Sequence, residues 1–472
     1  MTVDTDCNDT DPTTTGPTTE ALDGVDNDCD GSVDDVDVAD VQIGVVYGDG
    51  SSVALGDKGT FALDADLDGD GATDLVAASD QSSYGDVWAV PATALVGAAG
   101  LIDTVDSVTG SGSRGYEPRY IATPALDLTG DGAAELVVNF ASEGSYDYGY
   151  TYVWDGASTG TLSADSALYR FDGDSDDDLL LATAMGDVDG DGVVDVVTGS
   201  ALDNNSTSYD TGNIAIFDGS SLEDSMDISD ATQIHGTSSY DYLGYRLAVA
   251  DVTGDGTADI VAGAPGDDDG GSGAGAIYVI SGTSGSLGTS ADDAASSKIT
   301  GGSGDALGED PIPVPGDVDG DGQLDVGFAA EDEGTVWIVL GSALPSGSAA
   351  ASAASYVFTG TAGDFGSSVV IDSDLDGDGA DEVVIGADSA DLNGSNSGGA
   401  YVFRWERGWS AALTSADAIA LIYGTASNDY LGTGLSGGGD VNGDGREDIV
   451  IGAVAVDTGA ADAGAIYLIP GW

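Results

Sequence analysis

Basic side chains are nearly missing from this chain. Of its 472 residues only 9 are Lys or Arg and one is His, against 85 Asp and Glu, for a formal charge of -76 at pH 7. So negative a surface repels phosphate backbones and anionic headgroups, which excludes nucleic acid as a partner. No apolar run approaches the roughly 20 residues needed to span a bilayer, so direct membrane insertion is excluded too. The single histidine, His235, has no nucleophile motif beside it and reads as an ordinary strand-end residue, and no phosphate-cradling loop is present. The chain is therefore expected not to be an enzyme. The alternative is a carboxylate pair acting on polysaccharide, whose separation is spatial and invisible in sequence. Cysteine is almost absent as well: Cys7 and Cys29 are too few for a four-ligand zinc site and suggest one disulfide in an oxidising compartment. The start has neither a basic residue nor an apolar stretch, so no signal peptide is read, and an exported protein would carry its leader outside this sequence.

Glutamate is scarce in its own way. Only 11 of the 85 acids are Glu, leaving 74 Asp. A merely solvating coat would use both, whereas Asp is the short ligand that fits tight loops. The 75 glycines point to many turns and few long helices, and 41% hydrophobic residues can bury a large core.

What the chain has in abundance is one repeated nonapeptide. The template D-x-(D/T/N)-G-D-G-x-x-(D/E) occurs seven times, starting at Asp66, Asp127, Asp187, Asp251, Asp317, Asp374 and Asp440, with successive spacings of 61, 60, 64, 66, 57 and 66 residues. An apolar stretch leads into each loop and another leads out. A third follows a Gly-rich connection, and a weaker fourth segment (297–300 in the fourth unit) precedes the next repeat. Four short strands per unit of about sixty residues make a propeller blade. The seventh unit stops after three strands, while an orphan strand at 41–47 precedes the first loop. Pairing the two would remove two exposed edges at once. The expectation is an all-β fold, a seven-bladed β-propeller over 41–472 with four-stranded blades, the N-terminal strand completing the last blade. An aromatic recurs in the third strand (Trp88, Trp154, Phe217, Tyr278, Trp337, Tyr401, Tyr467). Blade-to-blade packing explains so regular a recurrence better than a platform for sugars.

Carboxylates at positions 1, 3, 5 and 9 of a tight turn converge on one point, and a backbone carbonyl at position 7 adds an oxygen. Hard oxygens in a flexible loop suit Ca²⁺ better than Mg²⁺. The expected ligands are Asp66, Asp68, Asp70, Ala72 and Asp74 in the first loop, and Asp127, Thr129, Asp131, Ala133 and Glu135 in the second. The third offers Asp187, Asp189, Asp191, Val193 and Asp195, and the fourth Asp251, Thr253, Asp255, Thr257 and Asp259. In the fifth they are Asp317, Asp319, Asp321, Gln323 and Asp325, and in the sixth Asp374, Asp376, Asp378, Ala380 and Glu382. The seventh has Asp440, Asn442, Asp444, Arg446 and Asp448. Loops with Thr129, Thr253 or Asn442 at position 3 carry one carboxylate fewer and should hold Ca²⁺ more weakly. The bland reading is an Asp-Gly hairpin without metal, but a turn needs one Asp and one Gly rather than four spaced oxygens. About seven Ca²⁺ are expected in the propeller.

Residues 1–36 are read as a separate Asp-rich metal-binding segment. Asp26, Asp28, Asp30 and Asp34 fit the same template, and with so few apolar residues the piece needs a Cys7–Cys29 disulfide and bound metal to be ordered. A disordered acidic leader is the other reading.

The pattern resembles the FG-GAP repeat family, best known from the β-propeller heads of integrin α subunits. Tyr242-Leu-Gly244 with Gly263-Ala-Pro265, Phe365-Gly366 with Gly386-Ala387, and Tyr430-Leu-Gly432 with Gly452-Ala453 carry the likeness, and in the other units it rests on the acidic loops. Residues 4–35 resemble an Asp-rich, Cys-containing metal-binding motif of exported bacterial proteins and, loosely, thrombospondin type-3 repeats, with the stretch 22–31 carrying the likeness. Leu22 stands where such motifs often have a further cysteine. The resemblance implies an extracellular or cell-surface module for recognition or adhesion of an unknown protein or glycan, with a passive surface spacer as the bland alternative. It also implies that the connections opposite the metal loops face the ligand. On that face Tyr84, Tyr148, Tyr150, Tyr240 and Tyr430 are the candidate partner-binding residues, able to take a basic side chain by cation–π contact, although some belong to the family's own packing signature.

Overall fold

Short runs of Val, Ile, Ala and Gly between acidic turns fold as seven sheets arranged in a ring, each mostly of four strands. The computed structural model describes residue 22 and residues 35–48, 54–67, 69–78, 87–97, 99–101, 107–108, 116–121, 126–142, 149–156, 166–173, 180–204, 208–283, 287–310, 312–361, 365–405, 409–458 and 460–472. The Cys7–Cys29 pair, the acids Asp26, Asp28, Asp30 and Asp34, and Asp68, Tyr84 and Tyr148 lie outside these residues.

Blades are numbered by their acidic loop. The third is typical: Leu180–Gly186, Asp195–Ser200, Asn213–Phe217 and Thr232–His235 pair antiparallel in chain order. In the fifth the innermost strand shrinks to one bridge between Gly316 and Asp325, and its sheet starts at Val326–Ala330. The seventh takes Leu431–Gly439, Asp448–Ala453 and Ala465–Ile469 from the end of the chain and its fourth strand from the beginning. Gly44–Tyr47 runs antiparallel to Ala465–Ile469, with Val45 opposite Tyr467 and Val46 opposite Ile466. The ring closes as the missing fourth strand required.

The closing strand is shorter than the expected 41–47. Val38–Val41 form a helical turn instead, capped by Asp37, whose Oδ1 accepts from the Ala39 N–H at 2.9 Å. Before it, Asp35–Asp37 pair in parallel with Ala420–Tyr423 on the outside of blade six, so the last residues of the expected N-terminal segment are part of the propeller.

The same device recurs around the ring. Met226–Asp227 add to the outer strand of blade two, Gly347–Ala350 to that of blade four, Ala412–Thr414 to that of blade five and Ala99–Leu101 to that of blade seven. Each addition comes from the connection that leads to the fourth strand of the following blade. An outer edge strand offers unpaired N–H and C=O groups to any passing chain, and a parallel segment from the neighbour covers them.

The described residues share no single core. The buried apolar residues fall into seven clusters, one at each junction between neighbouring blades. Because successive side chains of a strand point to opposite faces, Ile449 and Ile451 enter the junction with blade six while Val450 enters the junction with blade one. Both faces of every blade are therefore apolar, and the strands read as continuous hydrophobic runs. The recurring third-strand aromatics lie in these junctions: Trp88, Trp154, Phe217, Tyr278, Trp337 and Tyr467 are buried and Tyr401 half-buried. They are packing residues, not a sugar platform. The innermost strands surround a central cavity of about 120 Å³, lined mainly by Phe61, Leu247, Val369, Val370 and Leu435 with Arg246 and Asp372 as its charged groups.

Candidate metal centres

Each acidic loop is the turn between the first and second strands of its blade, so all seven lie on one rim of the ring. Glycine is required twice in every copy. Position 4 has φ between 68° (Gly320) and 78° (Gly130), and position 6 between 88° (Gly322) and 98° (Gly132), a region that side chains rarely adopt.

The carboxylate at position 1 organises the turn. In all seven loops its Oδ1 accepts from the N–H of position 5 and its Oδ2 from the N–H of position 6, the latter at 2.7–3.0 Å. The Asp at position 5 accepts in turn from the N–H of position 7 in every copy.

Position 9 behaves differently from the open ligand that the template suggested. Asp74, Glu135, Asp195, Asp259, Asp325, Glu382 and Asp448 are all buried. One oxygen accepts from a loop N–H, that of position 2 in six copies and of Thr253 in the fourth. Where position 9 is Asp, the other oxygen accepts from the residue two places beyond the third strand: Ala92, Gly219, Gly282, Gly341 or Gly471, at 2.9–3.0 Å. This carboxylate staples the turn to its own blade. A Cβ on Gly219 would come within 1.9 Å of the Val194 carbonyl oxygen, which keeps side chains out of that position.

Among the described residues three loops bring carboxylates together. Asp187, Asp189 and Asp195 in the third, Asp317, Asp319 and Asp325 in the fifth, and Asp374, Asp376 and Glu382 in the sixth each offer oxygens within 4.8 Å of one another. Positions 1, 3 and 9 thus meet in these three loops, whereas position 5 does not join these groups. In the third loop it is grouped with Asp189 and with Asp218, a residue just past the third strand that the repeat did not flag. In loops with a donor at position 3, that donor turns onto position 9: Asn442 Nδ2 donates to Asp448 Oδ1 at 3.0 Å, Thr253 Oγ1 lies 3.5 Å from Asp259 Oδ1, and Thr129 bonds Glu135.

Two observations test whether these residues suit a cation. Asp319 Oδ1 and Glu382 Oε1 are buried with no hydrogen-bond partner, and both belong to the convergent groups. Burial, aggravated by the neighbouring loop acids, pushes Glu382 up to about 8 and Asp325 up to about 7, and Asp195 up to about 6. Buried oxygens without donors beside like charges are what a hard cation relieves, and an all-oxygen donor set fits Ca²⁺.

On the opposite face the candidate tyrosines differ from one another. The Arg170 guanidinium lies 4.6 Å from the Tyr150 ring centroid, so this ring already holds a cation of its own chain. Tyr430 is half-buried at φ 55°, its hydroxyl accepting from Asn396 Nδ2 at 3.3 Å. Tyr240, at φ 70°, is 52% exposed and stands beside Tyr209 at 70%, the Tyr240 N–H donating to the Tyr209 carbonyl. A cavity of about 250 Å³ opens there too, lined by Lys58, Tyr245, Arg246, Glu309, Asp310 and Glu331. His235 ends its strand with Nδ1 3.5 Å from Asp203 Oδ2.

The FG-GAP repeat family model matches residues 243–280 and 431–469, the first three strands and the acidic loops of blades four and seven. Among curated proteins no match to the chain was found.

Proposed function

We propose that this seven-bladed propeller with FG-GAP repeats is an extracellular, Ca²⁺-stabilised scaffold for recognition or adhesion at a cell surface, and not an enzyme. The observation that carries the cation reading is the pair of buried carboxylate oxygens without partners, Asp319 Oδ1 and Glu382 Oε1, each inside a group of three convergent acids. Asp317, Asp319 and Asp325 would hold one ion, Asp374, Asp376 and Glu382 a second, and Asp187, Asp189 and Asp195 a third. The ion supplies positive charge where folding forces carboxylates together, since two of them about 4 Å apart repel by about 1 kcal/mol even at the dielectric of water. Binding free energy then becomes folding free energy.

Two features support a recognition role. The loops occupy one rim, leaving the other face for a ligand, and on that face Tyr209 and Tyr240 are exposed. No helix of the described residues is long and apolar enough to cross a membrane. The partner is proposed to be a protein or a glycan. Calcium counted by elemental analysis after dialysis against micromolar Ca²⁺ tests the scaffold: three or more ions per chain are expected, and none would retire it. Binding to protein and glycan arrays with and without Ca²⁺ tests recognition, and release of reducing ends from polysaccharides would overturn the non-enzymatic reading.

A further inference from the structure

Neighbouring acidic loops touch. The N–H at position 8 of one loop donates to the carbonyl at position 1 of the loop before it: Ala134 to Asp66 at 3.0 Å, Ala258 to Asp187 at 3.0 Å, Asp381 to Asp317 at 2.9 Å and Glu447 to Asp374 at 3.3 Å. Position 8 is Thr73, Ala134, Val194, Ala258 or Leu324 in the first five loops and an acid only in the last two. Those two acids add a second bond in the reverse direction. Asp381 Oδ2 accepts from the Asp317 N–H at 2.6 Å, and Glu447 Oε2 from the Asp374 N–H at 2.9 Å. Asp317 and Asp374 are consequently held by both main-chain groups, from the next blade. They are also the position-1 residues of the fifth and sixth loops, where the buried oxygens without partners occur.

We propose that Asp381 and Glu447 are positioning residues for cation sites in the loop preceding their own, so that the fifth, sixth and seventh loops form one mechanically linked run. Neither acid belongs to a convergent ligand group. Each fixes the residue whose carboxylate organises the neighbouring turn, and supporting groups of this kind set metal affinity by orienting the ligands they touch. The inference rests on the cation reading given above.

Calorimetric titration of the full chain with CaCl₂ tests it. Asp381→Ala should weaken one site about tenfold, while Asp381→Asn, which keeps the acceptor oxygen and loses the charge, should stay within about twofold of the parent. In an Asp319→Asn background, where the fifth site is already disabled, Asp381→Ala should add nothing. Glu447→Ala and Glu447→Gln repeat the comparison for the sixth loop, and Asp381→Ser serves if the Ala variant does not fold. Affinities unchanged in the Ala variants, or an Asn variant as weak as the Ala variant, overturn the proposal while leaving the cation reading intact. A parent chain that takes up no calcium removes both.

Discussion

Asn442 Nδ2 donates to Asp448 Oδ1 at 3.0 Å, so the seventh loop satisfies internally an acceptor of the kind that the sixth leaves bare at Glu382 Oε1. The residue at position 3 thereby sorts the loops: a donor bonds position 9, whereas a carboxylate sets a second like charge beside it. Asn442→Asp should convert one class into the other. In EDTA the variant loses a hydrogen bond and gains a repulsive pair, a destabilisation of about 1–2 kcal/mol. In millimolar Ca²⁺ it should melt at or above the parent temperature. Paired thermal melts in the two buffers check this, and a variant that melts alike in both would contradict it.

Chelation should lower the melting temperature of the parent protein. A site held at 100 times its Kd contributes about 2.7 kcal/mol, so even three sites matter for a ring without a single core. The expected fall is about 10 °C or more, reversed by Ca²⁺ and only partly by Mg²⁺, which tolerates irregular oxygen cages poorly. A differential scanning trace unmoved by excess EDTA would count against structural cations.

A different solution to crowded acids sits in blade four. Lys298 Nζ lies 2.8 Å from Asp267, 2.6 Å from Asp269 and 3.2 Å from Asp292, and 4.7 Å from the Tyr278 ring centroid. Tyr278 donates to Asp267 at 2.7 Å, and Thr237 and Asp241 border the group. Lys298→Met removes the cation paired with buried Asp267 among the described residues and should cost about 3 kcal/mol, measured by urea unfolding in saturating Ca²⁺.

The pH dependence of that network has a definite sign. Burial alone would raise Asp292, but Lys298 overrides it and holds the carboxyl below its ordinary range. A depressed carboxylate contributes stability that is present above its unfolded value, near pH 4, and is lost as pH falls through the lower folded value. Lys298 is raised despite its own burial, through Asp267 and Asp269, so its share persists below about pH 10 and fades only in stronger alkali. The stability difference between parent and Lys298→Met should therefore be flat from about pH 5 to pH 9 and shrink towards pH 3. Urea midpoints across that range measure it, and a difference that grows in acid would refute the assignment.

Much of this was legible in the sequence because the repeat leaves little freedom. A nonapeptide with two obligatory glycines and an Asp whose carboxylate takes successive N–H groups has one way to turn, and seven copies with one blade short of a strand imply a closing partner upstream. The second bond of position 9 was not legible, since Asp195 and Gly219 are brought together only by the return of the third strand. The lacing segments were invisible for another reason. Gly347–Ala350 and Met226–Asp227 pair through backbone groups, which no side-chain pattern encodes. Tyr150 read as open to a partner because nothing local shows Arg170 lying over its ring.

Ring closure rests on four residues, Gly44–Tyr47, and adjacent side chains there serve different junctions: Val45 enters the cluster between blades six and seven, and Val46 the one between seven and one. Both are 2% exposed. Val46→Asp would bury a carboxylate without a partner and should cost several kcal/mol, far more than Val46→Ala. Removing residues 1–47 goes further. It uncovers the outer edge of Ala465–Ile469 from Ala465 to Leu468 and strips Asp35–Asp37 from Ala420–Tyr423, leaving two bare edges at one seam. Edges of that kind pair with other chains, so the truncated protein should elute as oligomers or aggregate, and a synthetic peptide of residues 35–48 added during refolding should restore a monomer. Light scattering coupled to gel filtration reads both outcomes. A truncated chain that remains monomeric with the parent melting temperature would mean that the ring does not depend on its N-terminal strand.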